Sequence, residues 1–385
     1  MVKRLGDIAS FRRGLTYSKG DEAPFSSKCV LRSNNINLEA NSLDLSEIKY
    51  LREDFIIPDD RKLKANSIFI CMSNGSKQHV GKVAFIEKDM DYAFGGFMGL
   101  IVPSPEVSAK FVYYACQSSA YRSFLSQVGN GIGITNLRFS DLEKFEIPLP
   151  PLAEQQRIVD ELDLLSRVIE LKNAQLRTLD ELAQSIFCEM FGDPVSNEKG
   201  WDSAKMKIVA PQKNYSGNIP LHNGKQWLLN LDMVESQTGQ ILEKVLLPPS
   251  EIGNSTTTFN EENILYSKLR PYLNKVVIPD EPGYCTSELV PLLPDKEKLN
   301  RVFLAYLLRS KFFVEYINTR VAGAKMPRVS MSDFRDFDVI LPQYTLQESF
   351  SERISTIERQ KRIIKNSMLV AQDLLASRMD KYFNE

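Results

Sequence analysis

The residues that could support acid–base or metal chemistry are few and poorly spaced. Only two histidines are present, His79 and His222, and neither has a metal-ligand partner at helical or CxxC spacing. The Gly-Lys pairs at 81–82 and 224–225 are not followed by Ser or Thr, as a phosphate-binding loop requires. The Glu-Ile-Lys triplet at 47–49 resembles half of a nuclease site but lacks an acidic partner in a strand. We therefore predict no catalytic, cofactor-binding or metal-binding site in this chain.

Residues suited to DNA readout gather in loops instead. Arg and Lys bind phosphates, while Arg, Lys, Asn, Gln and Ser bind base edges. Such residues occupy two loops between strands, at 73–82 and 267–275, and two glycine-containing loops, at 129–138 and 322–328. Each cation could instead be an ordinary solvated residue, but matched placement in the chain favours a shared role. The candidate DNA contacts are Ser73, Asn74, Lys77, His79, Lys82, Arg138, Lys268, Arg270, Tyr272, Lys275, Lys325 and Arg328.

These loops match because the sequence repeats itself. A shift of 192 residues brings Gln155 onto Gln347 and Ser140-Asp141 onto Ser332-Asp333. The same shift superimposes four further pairs, which are Phe111 and Phe303, Tyr114 and Tyr306, Ser118 and Ser310, and Phe145 and Phe337. The period is half of the 385-residue chain, which indicates a tandem duplication.

Each repeat has the same predicted layout. It opens with roughly 150 residues of short strands and loops, such as "NSIFICMS" and "KVAFIEK" in the first copy and "NILYSKL" and "KVVIP" in the second. One helix is then predicted in each copy, at 109–128 and 300–320, because aromatic and aliphatic residues recur at helical spacing. A glycine-containing loop, a short strand and a proline lead into a helical tract of about 40 residues.

The two long tracts carry a heptad pattern. Apolar residues alternate at spacings of four and three, no Gly or Pro interrupts either tract, and the first tract ends at Gly192-Asp193-Pro194. A heptad kept in register across a duplication predicts a coiled-coil seam. The predicted seam residues are Ile158, Leu162, Leu165, Ile169, Leu176, Leu179, Ile354, Ile357, Ile364, Met368 and Leu375.

The lengths of the tracts decide how they are expected to pack. Each helix could lie along its own domain, but a helix of ~60 Å (~40 residues at 1.5 Å each) overhangs a domain of this size. We therefore expect an α+β fold with two strand-rich α/β domains, related by duplication and separated by a long antiparallel two-helix coiled coil. The expected boundaries are 1–150 for the first domain, 151–192 for a central helical spacer, 193–340 for the second domain and 341–385 for a C-terminal helical spacer.

Composition limits the other possibilities. The net charge is −1, so a nucleic-acid surface must be a local patch, and acid is concentrated in 151–192 with eight acidic and four basic residues. The five cysteines are scattered without a CxxC pair, which predicts reduced thiols in a cytoplasmic protein. No apolar run is long enough to predict a membrane span.

Three stretches of the sequence resemble a known family, namely the junction "IPLPPLAEQQRI" at 147–158, "NILYSKLRPYLNKVVI" at 263–278 and "YCTSELVPLLP" at 284–294. With these residues and the duplicated layout, essentially the whole chain resembles the DNA-specificity subunits of type I restriction–modification systems. The second junction, "ILPQYTLQES", departs from the family phrase because it lacks the Pro-Pro and Glu-Gln pairs.

This resemblance implies a function without chemistry in this chain. The two domains would be target-recognition domains, each reading one half of a bipartite sequence in double-stranded DNA. The helices would dock modification (methyltransferase) subunits, two copies being expected, which carry S-adenosylmethionine; restriction subunits could also join. The alternative is a two-headed coiled-coil scaffold that binds protein partners without sequence-specific DNA recognition.

Overall fold

The computed structural model describes residues 1–128, 135–323 and 325–384. It divides into two compact units, Met1–Leu171 with Ser367–Glu385, and Lys172–Asn366. We refer to these as unit 1 and unit 2, and to residues 1–150 and 193–340 as the first and second heads. The first head lies in unit 1 and the second head in unit 2.

Unit 1 is built from short strands and short helices, followed by the start of a long helix. Its strands are β1 Val2–Arg4, β2 Ala9–Arg13, β3 Glu22–Ala23, β4 Lys28–Leu31, β5 Ile36–Asn37, β6 Ser42–Leu43, β7 Lys49–Leu51, β8 Lys62–Leu63, β9 Ser67–Cys71, β10 Val83–Ile86, β11 Met90–Phe94, β12 Met98–Pro103 and β13 Glu146–Pro148. Its helices are α1 Leu5–Ile8, α2 Ala109–Ala115, α3 Ser119–Val128, α4 Phe139–Leu142 and the first part of α5, Leu152–Phe191.

Unit 2 repeats this plan with fewer strands. Its strands are β14 Ser203–Lys205, β15 Gln226–Leu229, β16 Val245–Leu247, β17 Thr256–Phe259, β18 Ile264–Ser267, β19 Val276–Val277, β20 Gly283–Thr286, β21 Leu289–Leu292, β22 Val321–Ala322, β23 Arg328–Val329 and β24 Asp338–Ile340. Its helices are α6 Met206–Val209, α7 Arg301–Arg309, α8 Lys311–Asn318, α9 Met331–Arg335 and the first part of α10, Tyr344–Phe383.

The sheets of the two heads correspond to one another. In the first head the order β10-β9-β12-β2 is antiparallel, and a second sheet runs β3-β7-β4-β11-β8 with β4 and β11 parallel. In the second head β19-β18-β21 and β16-β15-β20-β17 take these places, with β15 and β20 parallel. The central strand β9 is buried at every residue, because "SIFIC" places apolar or small side chains on both faces. The prediction of two related strand-rich α/β heads is confirmed.

The single helix predicted at 109–128, and its copy at 300–320, are each two helices, so that prediction was wrong. The reason is a serine at equivalent positions. Ser118 Oγ accepts a hydrogen bond from Tyr121 N at 3.2 Å, and Ser310 Oγ accepts one from Phe313 N at 3.2 Å. Both hydroxyls cap the first turn of a new helix and end the preceding one.

Each unit contains part of both long helices, because unit 1 takes α5 up to Leu171 and α10 from Ser367, and unit 2 takes the remainder of both. In unit 1, Glu161 of α5 pairs with Arg378 of α10 at 2.9 Å, and Arg157 of α5 lies 5.9 Å from the ring of Tyr382 of α10. In unit 2, Asp180 pairs with Lys361 at 2.7 Å, and the rings of Phe187 and Phe350 lie 5.6 Å apart. Position numbers rise along α5 as they fall along α10 in both units. The antiparallel helix pair is therefore confirmed within each unit.

The predicted seam faces protein rather than solvent. All eleven seam residues are buried or half-buried, with Leu162 at 0% and Ile354 at 3% exposure. Lys361 is also buried at this face, where Asp180 and Glu358 hold its ammonium at 2.7 and 2.9 Å. Burial alone would lower the pKa of Lys361, but the hydrogen bonds that its ammonium donates to both acids, together with their negative charges, raise it.

A buried glutamine fixes each long helix to its own head. Gln155 accepts a hydrogen bond from Ser108 N and donates one to the Pro150 carbonyl, at 3.0 and 2.8 Å. Gln347 does the same with Asn300 N and the Pro342 carbonyl, both at 2.8 Å. The second junction therefore keeps this contact although its sequence lacks the Glu-Gln pair.

Candidate nucleic-acid interface

Three separate segments of the first head meet beyond the end of β9. Met72 N donates a hydrogen bond to the Phe97 carbonyl at 2.9 Å, which joins the loop after β9 to the turn between β11 and β12. Leu137 N donates to the Met72 carbonyl at 2.7 Å, and Asn74 N donates to the Thr135 carbonyl at 3.2 Å. These bonds fix three loops in one place, so the side chains on them project from a defined backbone.

The second head repeats these hydrogen bonds one for one. Lys268 N donates to the Glu288 carbonyl at 3.0 Å, Val329 N donates to the Lys268 carbonyl at 2.8 Å, and Arg270 N donates to the Pro327 carbonyl at 2.7 Å. We call the two sets the first and second platforms. The first consists of 72–74, 97 and 135–137, and the second of 268–270, 288 and 327–329.

The first platform presents neutral polar side chains. Ser73 Oγ donates to the Thr135 carbonyl at 3.0 Å, and Asn74 Nδ2 donates to Ser33 Oγ at 2.9 Å. Both are half-buried, whereas Asn136 and Arg138 are exposed beside them. Of the glycine-containing loop at 129–138, residues 129–134 lie outside the described residues.

The second platform presents charged side chains. Arg270 is exposed and holds a left-handed backbone with φ of +49°, a strained conformation for a non-glycine residue. Arg328 makes a bidentate ion pair with Glu288, with contacts of 2.9 and 3.3 Å. Lys268 is half-buried, and the ring of Tyr272, 48% exposed, lies in the turn that follows.

Two of the predicted DNA contacts turn their ammonium groups toward backbone carbonyls of their own head, Lys82 being buried and Lys275 half-buried. Lys82 Nζ donates to the Ile36 carbonyl at 2.7 Å, and Lys275 Nζ, at the equivalent place, donates to the Leu231 carbonyl at 2.6 Å. Burial lowers the pKa of both lysines. These contacts hold strand to turn inside each head, which is a structural role.

The remaining candidates lie in surface turns. Lys77 is exposed and His79 half-buried in the 3-10 turn Lys77–His79, and among the described residues no hydrogen-bond partner faces the buried His79 Nδ1. Lys325 is exposed next to Ala324, which lies outside the described residues. The structure thus brings Ser73, Asn74, Lys268, Arg270 and Arg328 onto the platforms, whereas Lys82 is buried and Lys275 is half-buried.

Phe97 and Glu288 are among the platform residues that sequence reasoning missed. They contribute the carbonyls that join the loops, and the Phe97 ring is 72% exposed. A comparison of the two repeats at a fixed shift does not align Phe97 with Glu288, because the loops that contain them differ in length. Their equivalence is therefore visible only in the structure.

Within the described part of the chain, no group of three or more His, Cys, Asp or Glu side chains is placed to hold a metal ion. Over the same residues, no helix is both long and apolar enough to cross a membrane.

Comparisons with known proteins point to a single family. Residues 1–181 match the family model described as type I restriction modification DNA specificity domain. The StySPI specificity subunit of Salmonella potsdam is 22% identical to this chain, with 98% of this chain and 86% of that protein covered. The EcoKI specificity subunit of Escherichia coli K12 is 26% identical over 51% of this chain and 43% of that protein.

Residues 1–181 are thus similar to the type I DNA specificity domain, and nearly the whole chain is similar to a type I specificity subunit. Solved structures support the same fold over the whole chain. The specificity subunit of M. genitalium aligns with a TM-score of 0.55 at 15% identity, covering 100% of this chain and 96% of that one. A chain from a structure of a type I restriction–modification complex aligns with a TM-score of 0.53, also at 15% identity, over 99% and 97% of the two chains. At this identity the likeness concerns the fold of these specificity subunits alone.

Proposed function

We propose that this chain is the DNA sequence-specificity subunit of a type I restriction–modification complex and does no chemistry itself. Each head reads one half of a bipartite target in double-stranded DNA. The observation that carries this proposal is the pair of platforms, in which the same three hydrogen bonds position loops of different side chains. A fixed frame with variable side chains is what two readers of different half-sites require.

The platforms suit DNA on chemical grounds. Asn and Ser bind base edges, and the guanidinium of Arg binds guanine in two places or a phosphate. Arg328 and Glu288 form an ion pair whose guanidinium is exposed to solvent, so the pair contributes little to the stability of the fold. Replacing this ion pair by a contact between Arg328 and a base therefore costs little free energy, which suits Arg328 to DNA binding.

The long helices are the proposed docking surface for modification subunits, which would carry S-adenosylmethionine. Each helix exposes large apolar side chains, among them Leu164 and Leu171 on α5 and Ile363 and Val370 on α10. Exposed apolar residues on a helix are a usual feature of protein interfaces. Because the helices are duplicated with the heads, we propose that two copies of the modification subunit bind.

Salt dependence of DNA binding tests this function. The full chain, purified with its modification subunits, should bind a duplex carrying its target with an affinity that falls steeply from 50 to 200 mM salt, because several phosphates are contacted. The mass of the complex should correspond to two modification subunits for each chain. DNA binding that ignores both salt and sequence would contradict the proposal and favour the protein scaffold.

A further inference from the structure

Phe97 combines an exposed ring with a firmly held backbone. Its carbonyl accepts hydrogen bonds from Met72 N at 2.9 Å and Ser73 N at 3.1 Å. The preceding turn is fixed by Gly95 N, which donates to the Leu31 carbonyl at 2.9 Å, and by Met98 N, which donates to the Gly95 carbonyl at 2.8 Å. The ring nonetheless remains 72% exposed.

Close packing leaves this turn little freedom to move. A Cβ atom on Gly14 would lie 2.0 Å from the Gly95 carbonyl oxygen, and a Cβ atom on Gly96 would lie 3.1 Å from the Leu15 carbonyl oxygen. Only glycine allows the backbones to approach so closely at position 14. The aromatic ring is therefore presented from a rigid support, as an interface anchor is.

A single exposed phenylalanine is common on protein surfaces and by itself needs no explanation. The position of Phe97 is what makes it informative. It lies on the first platform with Ser73 and the exposed Asn136, and its equivalent on the second platform is Glu288, which holds Arg328. The two heads thus place an apolar ring and an acid–guanidinium pair at the same point of the same frame.

We propose that Phe97 is a specificity-determining residue of the first head and packs against the C5-methyl group of a thymine in its half-site. This inference rests on the proposed function. The thymine methyl is the apolar group in the major-groove code, and an aromatic ring is one of the side chains that contact it. The second head, with Arg328 and Glu288 at this point, reads a base pair by hydrogen bonds instead.

Replacement of thymine by deoxyuridine tests the contact, because deoxyuridine lacks only the C5-methyl group. The half-sites are first identified by selecting randomised duplexes with the full chain and its modification subunits. Each thymine of each half-site is then replaced singly, and dissociation constants are measured for the wild type, Phe97→Ala and Phe25→Ala. Phe25 is the matched control, since it is 80% exposed in the same head and packs against Tyr50 rather than on the platform.

At one thymine of one half-site, the wild type and Phe25→Ala should lose about fourfold in affinity on loss of the methyl, as expected for burial of one methyl group. Phe97→Ala should bind both duplexes equally and select that base pair less strictly. Equal sensitivity of Phe97→Ala and the wild type at every thymine would overturn the inference, as would a wild type that ignores every thymine methyl. Either result leaves the proposed function standing if the wild type still selects a sequence, whereas no selection at all refutes the proposed function.

Discussion

Arg270 and Lys325 differ in how their side chains are supported, and this predicts different roles. Arg270 is a platform residue, and its backbone N donates a hydrogen bond to the Pro327 carbonyl. Lys325 is exposed and lies in the loop that precedes Pro327. Arg270→Ala should cost about 1–3 kcal/mol of binding free energy and relax the preference at one base pair. Lys325→Ala should weaken binding to all sequences alike and lower the salt slope by about 1. Competition binding with single-base variants of the target measures both, and equal, sequence-blind losses would make Arg270 a phosphate contact.

Lys82 should contribute to stability rather than to DNA binding. Lys82→Ala leaves the Ile36 carbonyl without its donor, so the free energy of unfolding should fall by about 1–3 kcal/mol. The salt slope of DNA binding should stay unchanged, because no phosphate contact is lost. Lys88→Ala is the control, since Lys88 is exposed in the turn between β10 and β11. Denaturant unfolding and salt titration separate the effects, and a reduced slope with normal stability would restore Lys82 as a phosphate contact.

Three buried thiols should make the protein sensitive to alkaline pH. Burial raises the pKa of Cys71 to about 11 and those of Cys116 and Cys285 to about 12. In the unfolded chain these thiols lose their protons above about pH 9, while the folded protein keeps them. The contribution of these thiols to the free energy of unfolding should therefore be constant below about pH 8 and fall by about 1.4 kcal/mol per pH unit for each thiol from about pH 9 to 11. Unfolding of Cys116→Ala over the same range should show a shallower fall, and identical slopes would refute this cause.

The positions of the candidate contact residues in the structure were only partly predictable from the sequence. The loops that contain Ser73, Asn74 and Arg270 could be recognised as equivalent, because their residue types and matched placement are visible in the sequence. The internal hydrogen bonds of Lys82 and Lys275 could not, since they depend on the carbonyls of Ile36 and Leu231, which lie more than 40 positions away. Each of these lysines follows a glycine or an asparagine, which is typical of an exposed loop, and only the structure shows the carbonyl to which it donates.

The proline–helix junctions depend on one buried glutamine each. Gln155→Ala removes the hydrogen bond that Gln155 accepts from Ser108 N and the one that it donates to the Pro150 carbonyl, leaving buried groups unpaired. We expect the free energy of unfolding to fall by about 2–4 kcal/mol. Gln156→Ala, at the next and exposed position, should change it by less than about 0.5 kcal/mol.

Chemical denaturation of both variants measures this difference, and Gln347→Ala should repeat the result in unit 2. Equal small effects at positions 155 and 156 would show that the junction is held by the packing of the helix alone.

Elements with strong periodicity were the most predictable. The heptads gave the long helices α5 and α10 because no breaker interrupts them and both bury a seam. Shorter elements depend on local helix caps, which are harder to predict. The breaks at Ser118 and Ser310 were not predicted, because serine is tolerated within a helix as well as at its start. The shared role of Gln155 and Gln347 appeared in the sequence only as one matched position of the duplication.

The duplication is visible both in the sequence of the chain and in the hydrogen bonds of its two halves. Units 1 and 2 each contain a platform, a glutamine junction and an antiparallel helix pair, while the side chains on the platforms differ. The two platforms share the same backbone hydrogen bonds but carry different side chains, and each is built entirely within its own head. We therefore predict that the two half-sites are read independently. This independence is the central claim about function.

Mapping of methylated positions in a host genome tests this independence most directly. The wild-type chain is compared with one in which residues 193–340 are replaced by the corresponding domain of another type I specificity subunit, and with the reciprocal exchange of 1–150. Each exchange should change one half of the methylated bipartite motif and leave the other half as it was, with methylation retained. A motif in which both halves change together, or neither changes, would contradict the account.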